Sequence, residues 1–244
     1  MQSWFLPSIC TRPLRRRALG EMGPVVSSAG NFSKVFCIGF NKTGTSTLHR
    51  LFVELGLSSW HGYYSHIPVV DPIFSSFQCF SDGERHDFGE LDRAFPGSRF
   101  ILTTRPFEEW LTSRIRHVER RRSLGASGPM RQEYDADPRG AVEQWIRRRL
   151  DYHARARDYF EARSGDLLVI NVCNPSGGCD AVASIAAHLG LAAPPNLGLP
   201  HENANAEGAI ADGTVRTRAE VRREVLAIMR DMGLDDSLAR SEFP

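Results

Sequence analysis

Three unbroken apolar runs punctuate the chain, with amphipathic stretches between them. The runs are Val35 to Phe40, Arg99 to Arg105 (RFILTTR) and Asp166 to Val172 (DLLVINV). A strand apolar along its whole length suits the interior of a parallel sheet, covered on both faces. The stretches between carry helical signals. Thr45 to Leu57 is amphipathic and is stopped by Gly56. Leu91 to Phe95 is short and closes at Pro96-Gly97. Pro106 opens a helix reaching about Ser123, with Glu108 and Glu109 in its first turn, where the helix dipole favours them. Pro138 to Arg163 is long, with Val142, Trp145, Ile146, Leu150 and Tyr159 apolar. Ala181 to Leu189 is halted by Gly190 and Pro194-Pro195. Val215 to Met232 has Val221, Val225, Ile228, Met229 and Met232 on one stripe. The aromatic stretch 58–88 is broken by Gly62, Pro68 and Pro72 and reads as short pieces and loops, and residues 125–130 (GASGPM) read as a loop. Strands alternating with helices predict an α/β fold of three layers, a central parallel sheet flanked by helices.

Bulk composition narrows this only a little. The chain has 244 residues, 41% of them hydrophobic and 24% charged, enough to bury a core without metal or disulfide support. A net charge of +1 gives no global pull toward nucleic acid or membrane, although 114–122 and 147–157 are locally basic. The five cysteines, Cys10, Cys37, Cys79, Cys173 and Cys179, form no C-x-x-C pair, and Cys37 and Cys173 sit in apolar runs. They read as reduced thiols of a cytoplasmic protein. The eight histidines lack metal-site spacing, so no metal is expected. No apolar run reaches membrane-spanning length. Residues 1–32 read as a disordered leader, although their Arg-rich, acid-poor composition is also that of transit peptides. Residues 33–244 read as a single catalytic domain.

The chemistry is concentrated where the first strand turns into the first helix. Gly39 and Gly44 keep the spacing of the nucleotide-hydrolase loop G-x-x-x-x-G-K-[ST]. Thr45, however, stands at the lysine position, and the one lysine of the loop is Lys42, inside it. Bare backbone N–H groups at a helix N-terminus cradle an anion, so the loop predicts phosphate binding with a leaving group unlike that of ATP or GTP. A second signal is FILTTRPFEEWLTSR. Arg105 ends a strand, Ser113 lies eight residues on, and Pro106 fixes the turn between them. A guanidinium and a hydroxyl there suit a second phosphate.

With these residues the chain resembles the sulfotransferases that use 3′-phosphoadenosine 5′-phosphosulfate (PAPS), which have a P-loop-like fold. The resemblance runs from about residue 34 to 205. It implies that Lys42, Thr43, Gly44, Thr45, Ser46 and Thr47 hold the 5′-phosphosulfate and that Arg105 and Ser113 hold the 3′-phosphate. No R-K-G motif occurs near the C-terminus, unlike cytosolic small-molecule sulfotransferases. Together with FPGSRFILTTRP and LLVINVCN, this is closer to the bacterial and sugar-modifying branches. Such enzymes transfer a sulfuryl group to an acceptor hydroxyl without a metal, and Lys42 would stabilise the departing phosphate.

The acceptor hydroxyl wants a general base. The resemblance directs attention to 81–86 (SDGERH), with Asp82 preferred and Glu84, His86 and the more distant His61 as alternatives. His61 in SWHGYY, and His201 and Asn203 in the polar loop PHENAN, are candidates for touching the acceptor. A sugar, a lipid-linked molecule or another small molecule would be the partner, and nucleic acid would not. A P-loop kinase or hydrolase, or a catalytically silent nucleotide-binding protein, are the rival readings. Thr45 opposes the first and an intact Lys42 the second.

Overall fold

The computed structural model describes residues 32–62, 64–84, 86–173, 178–200 and 215–241, without the side chains of 178–180. His201, Asn203, Cys10 and residues 1–31 of the leader lie outside the described residues, as does the side chain of Cys179. Five strands, β1 (Val35–Cys37), β2 (Ser59–Trp60), β3 (Cys79–Phe80), β4 (Arg99–Thr103) and β5 (Leu167–Ile170), form one sheet in the order β2-β3-β1-β4-β5. Every pairing is parallel. All five strands therefore end on the same edge, where sheets of this kind bind ligands.

The period of two in β1 sorts the core into two layers. Val35 and Cys37 face α1 (Thr45–Glu54) and α7 (Gly178–His188), packing with Leu48, Leu51, Phe52, Val182 and Ile185. Phe36 and Ile38 face the other way. On that side lie α3 (Phe88–Ala94), α4 (Phe107–Ser123), α6 (Pro138–Phe160) and α8 (Arg218–Asp231), whose Leu91, Trp110, Ile146 and Val225 close a larger core. Phe36 is fully buried at its centre. Its ring lies 5.4 Å from that of Phe80 and 5.8 Å from that of Phe100. The expected three-layer α/β architecture is the one observed.

Several elements depart from the sequence reading. The aromatic stretch contains β2, β3 and a single turn of helix, α2 (Ile73–Ser76), because two-residue strands carry no periodicity. The third apolar run is an edge strand: β5 pairs only with β4 and is half-buried, with Val169 37% exposed. The GASGPM loop gives way at Pro129 to α5 (Pro129–Ala136), and a last short helix, α9 (Asp236–Arg240), follows α8. α3 starts earlier than expected, where Asp87 accepts from the N–H groups of Gly89 and Glu90. Among the described residues no helix is long and apolar enough to cross a membrane.

Candidate active site

The loop from β1 to α1 is held at almost every residue. A Cβ on Gly39 would fall 2.0 Å from Thr103 Oγ1 and 2.8 Å from the Thr103 backbone, so β4 can approach only a glycine. Thr43 is fully buried; its hydroxyl donates to the Phe40 carbonyl and lies 2.7 Å from that of Thr103. Gly44 adopts φ +95°, and a Cβ there would meet Val172 at 2.4 Å. Asn41 is tied three ways. Its N–H donates to Glu84 (3.0 Å), its carbonyl accepts from Trp110 Nε1 (3.0 Å), and its side chain accepts from Arg114 (2.6 Å). Glu84 and Arg114 form a buried bidentate pair, and the guanidinium lies over the Trp110 and Trp145 rings.

This rigidity serves an open end. Gly44 stands at the N-terminus of α1 with no side-chain cap, and the first turn holds no acid. The N–H groups of that turn have no intrahelical partner. Lys42, beside it, has φ +69°, the only non-glycine with positive φ among the described residues. This conformation is costly for a lysine and is imposed by its pinned neighbours. Burial, then the charges of Arg120 and Arg105, lower the Lys42 pKa, while Cys173 and Asp82 oppose them. Among the described residues no carboxylate lies within ion-pair distance of its ammonium.

Arg105 leaves the end of β4 and reaches the same loop. It donates to the Lys42 carbonyl at 3.4 Å and to Glu109 from Nε and Nη2, both at 3.2 Å. Glu109 and Ser113 lie four residues apart on one face of α4, and Arg105 reaches Glu109 from just before that helix begins. The structure thus brings Arg105 to the loop, with its guanidinium engaged by the Glu109 carboxylate. The same face continues to His117, whose buried Nδ1 lacks a partner. Burial and then Lys42 and Arg120 depress its pKa to about 4.

Asp82 sits just past the end of β3, beside the end of β1. Its Oδ1 is buried without a hydrogen-bond partner. Burial and Glu84 raise its pKa to about 7, against the pull of Arg114 and Lys42. A carboxylate poised at neutrality and not consumed by the protein is what general-base chemistry uses. The alternatives are differently placed. Glu84 is consumed by Arg114 and Asn41. His86 packs against the Tyr64 ring at 5.2 Å within the aromatic core. His61 lies under α1, its Nε2 3.1 Å from Ser46 Oγ, and burial and the neighbouring His49 lower its pKa to about 4.

The sequence reading missed the Arg114–Glu84–Asn41 brace. A signal existed: Arg114 falls four residues after Trp110 and four before Val118, on the buried stripe of α4, and an arginine there demands a partner. Glu109 as a competitor of Arg105, and Ser46 as a partner of His61, needed coordinates.

The site thus gathers a helix end without cap or acid, Lys42 on the loop before it, Arg105 donating to that loop from the end of β4, and the half-buried Asp82 carboxylate. Among the described residues no group of three His, Cys, Asp or Glu is placed to hold a metal ion. A family model described as "Sulfotransferase domain" matches residues 66–207, more than half of the chain. The matched segment contains Asp82, Arg105 and Ser113 and begins after the Lys42 loop. No curated protein matches the chain.

Proposed function

The chain belongs to the sulfotransferase family, and from that premise we propose that it moves a sulfuryl group from PAPS to an acceptor hydroxyl, with residues 33–244 as the catalytic unit. The observation that carries this reading is the half-buried Asp82 carboxylate, whose Oδ1 is enclosed without a hydrogen-bond partner, next to the loop that bears Lys42, with Arg105 donating to that loop as well.

In this reading the N–H groups of Gly44 to Thr47, with the hydroxyls of Thr45, Ser46 and Thr47, hold the 5′-phosphate at the head of α1. Thr43 points inward and fixes the loop. Lys42 neutralises charge growing on the phosphate oxygen as its bond to sulfur breaks. Arg105 and Ser113 hold the 3′-phosphate, for which Arg105 must leave Glu109. Asp82 accepts the acceptor's proton while the acceptor oxygen bonds to sulfur. The products are a sulfate ester and adenosine 3′,5′-bisphosphate. The acceptor is a hydroxyl on a sugar, a lipid-linked molecule or another small molecule, and the 200–205 loop, with His201 and Asn203, is the candidate to meet it.

Incubation with radiolabelled PAPS and an acceptor panel tests the reaction, and calorimetry tests the donor. Adenosine 3′,5′-bisphosphate should bind without magnesium and much more tightly than ATP or AMP. Magnesium-dependent ATP binding of equal strength would overturn the reading.

A further inference from the structure

Behind the phosphate loop a half-buried chain of hydrogen bonds runs away from Ser46, the second residue of α1. Ser46 Oγ lies 3.1 Å from His61 Nε2, His61 Nδ1 lies 2.9 Å from Ser81 Oγ, and Ser81 Oγ lies 3.2 Å from the Trp60 carbonyl. That carbonyl also accepts the Ser81 N–H at 3.0 Å. The His61 ring stacks on His49, centroids 5.4 Å apart, and His49 Nδ1 lies 2.9 Å from Ser59 Oγ. The transfer chemistry above uses only its first member, Ser46, and gives no part to His61 or Ser81.

Counting protons limits what the chain can do. Each hydroxyl has one proton to give, and a neutral imidazole carries one proton on two nitrogens. In one filling, Ser81 donates to the Trp60 carbonyl, His61 Nδ1–H donates to Ser81, and Ser46 donates into Nε2. The Ser46 oxygen then offers an anion only lone pairs. In the other filling, His61 Nε2–H donates to Ser46, Ser81 donates to Nδ1, and the Ser46 proton is free for the anion. The Trp60 carbonyl is not orphaned in this second filling, because it keeps the Ser81 N–H. Both fillings satisfy every buried group, and only the second gives the loop a further donor.

We propose that His61 is a positioning residue for the phosphate loop: when an anion occupies the head of α1, His61 carries its proton on Nε2 instead of Nδ1, and Ser46 turns its hydroxyl proton to the anion. One proton is taken up at Nε2 and one released from Nδ1, so the net count is unchanged. His61 is thereby part of the loop's anion recognition rather than an acceptor contact or a base. The inference rests on the reading of α1 as the phosphate site.

Titration of the full chain with adenosine 3′,5′-bisphosphate, by calorimetry and by nitrogen NMR of labelled histidine, tests it. Ser46→Ala and His61→Ala should each weaken binding about tenfold or more, the order of a lost hydrogen bond to a charged group. The double variant should be no weaker than either single one. His61→Gln, whose amide N–H replaces Nε2–H, should stay within a few-fold of wild type, whereas His61→Asn, which mimics Nδ1, should behave as His61→Ala. The unprotonated nitrogen of His61 should change from Nε2 to Nδ1 on saturation. Additive losses, no rescue by glutamine, or an unchanged tautomer would overturn the positioning role and leave the donor reading standing. If the wild type does not bind the bisphosphate, the donor reading falls, and the role of His61 falls with it.

Discussion

Arg114 and Glu84 meet through two hydrogen bonds, 2.8 and 3.0 Å long, with both side chains at most 5% exposed. The pair also holds Asn41, so it joins α4 to the loop that bears Lys42. Removing one member leaves an uncompensated buried charge, at a cost of roughly 3–5 kcal/mol. Arg114→Ala should therefore lose stability of that order in urea denaturation. It should also weaken bisphosphate binding, although Arg114 is not assigned to the ligand, because the loop loses its anchor.

Asp82→Asn should lower turnover by about 10²–10⁴, the usual contribution of a general base, and leave bisphosphate affinity intact. In the wild type, kcat/KM should rise with pH through about 7 as Asp82 gives up its proton. His61 and His117, held near 4, are already neutral there and add no limb. If Asp82→Asn keeps the rising limb, the base is another group.

The same carboxyl has a signature in stability. Its pKa is about 7 folded against an ordinary value of 3.8, so between these values the folded state holds more protons than the unfolded chain. Its contribution to stability therefore falls as pH rises through that window. Asp82→Asn should be more resistant to denaturant than wild type at pH 8, with little difference at pH 4.

Lys42→Ala should reduce turnover about 10²–10³-fold, the order seen for one charge-stabilising donor. Lys42 is one of the two charges holding the Asp82 pKa down. The residual activity should consequently have its rising limb at higher pH. An unmoved limb would separate the two residues electrostatically.

Arg105→Ala should act on donor affinity rather than on the chemical step, since the 3′-phosphate is remote from sulfur. The expected loss is roughly 2–5 kcal/mol, because its side chain is only 17% exposed. Glu109→Gln should do the reverse. It removes a competing, partly exposed carboxylate and should tighten bisphosphate binding by up to about fivefold, the scale of a surface ion pair. Calorimetry reads both.

What was legible in the sequence had a period or a spacing. Continuous apolar runs marked β1 and β4, Pro106 marked the start of α4, and Gly39 and Gly44 marked the loop, each explained by a close approach a side chain would block. β2 and β3 are too short for any pattern, yet they place His61 and Asp82 at the ends of neighbouring strands. The edge position of β5 was hidden because LLVI reads as interior by composition alone. Partnerships between distant residues, such as Ser46 with His61 or Arg114 with Glu84, follow from strand order, which no local pattern encodes.

The helix that follows Arg105, α4, owes part of its cover to α8 and to the residue after α9. Phe107 N–H donates to the Ser241 carbonyl at 3.1 Å, and Arg222 on α8 donates twice to Glu108. A ribosome delivers these residues well after α4, at about 5–20 per second. A nascent chain can therefore have the phosphate loop and α4 outside the exit tunnel for seconds before α8 and α9 emerge to cover them. During that interval α4 is without the contacts that α8 provides. A chain stalled short of α8 therefore leaves part of α4 uncovered and is a target for chaperones.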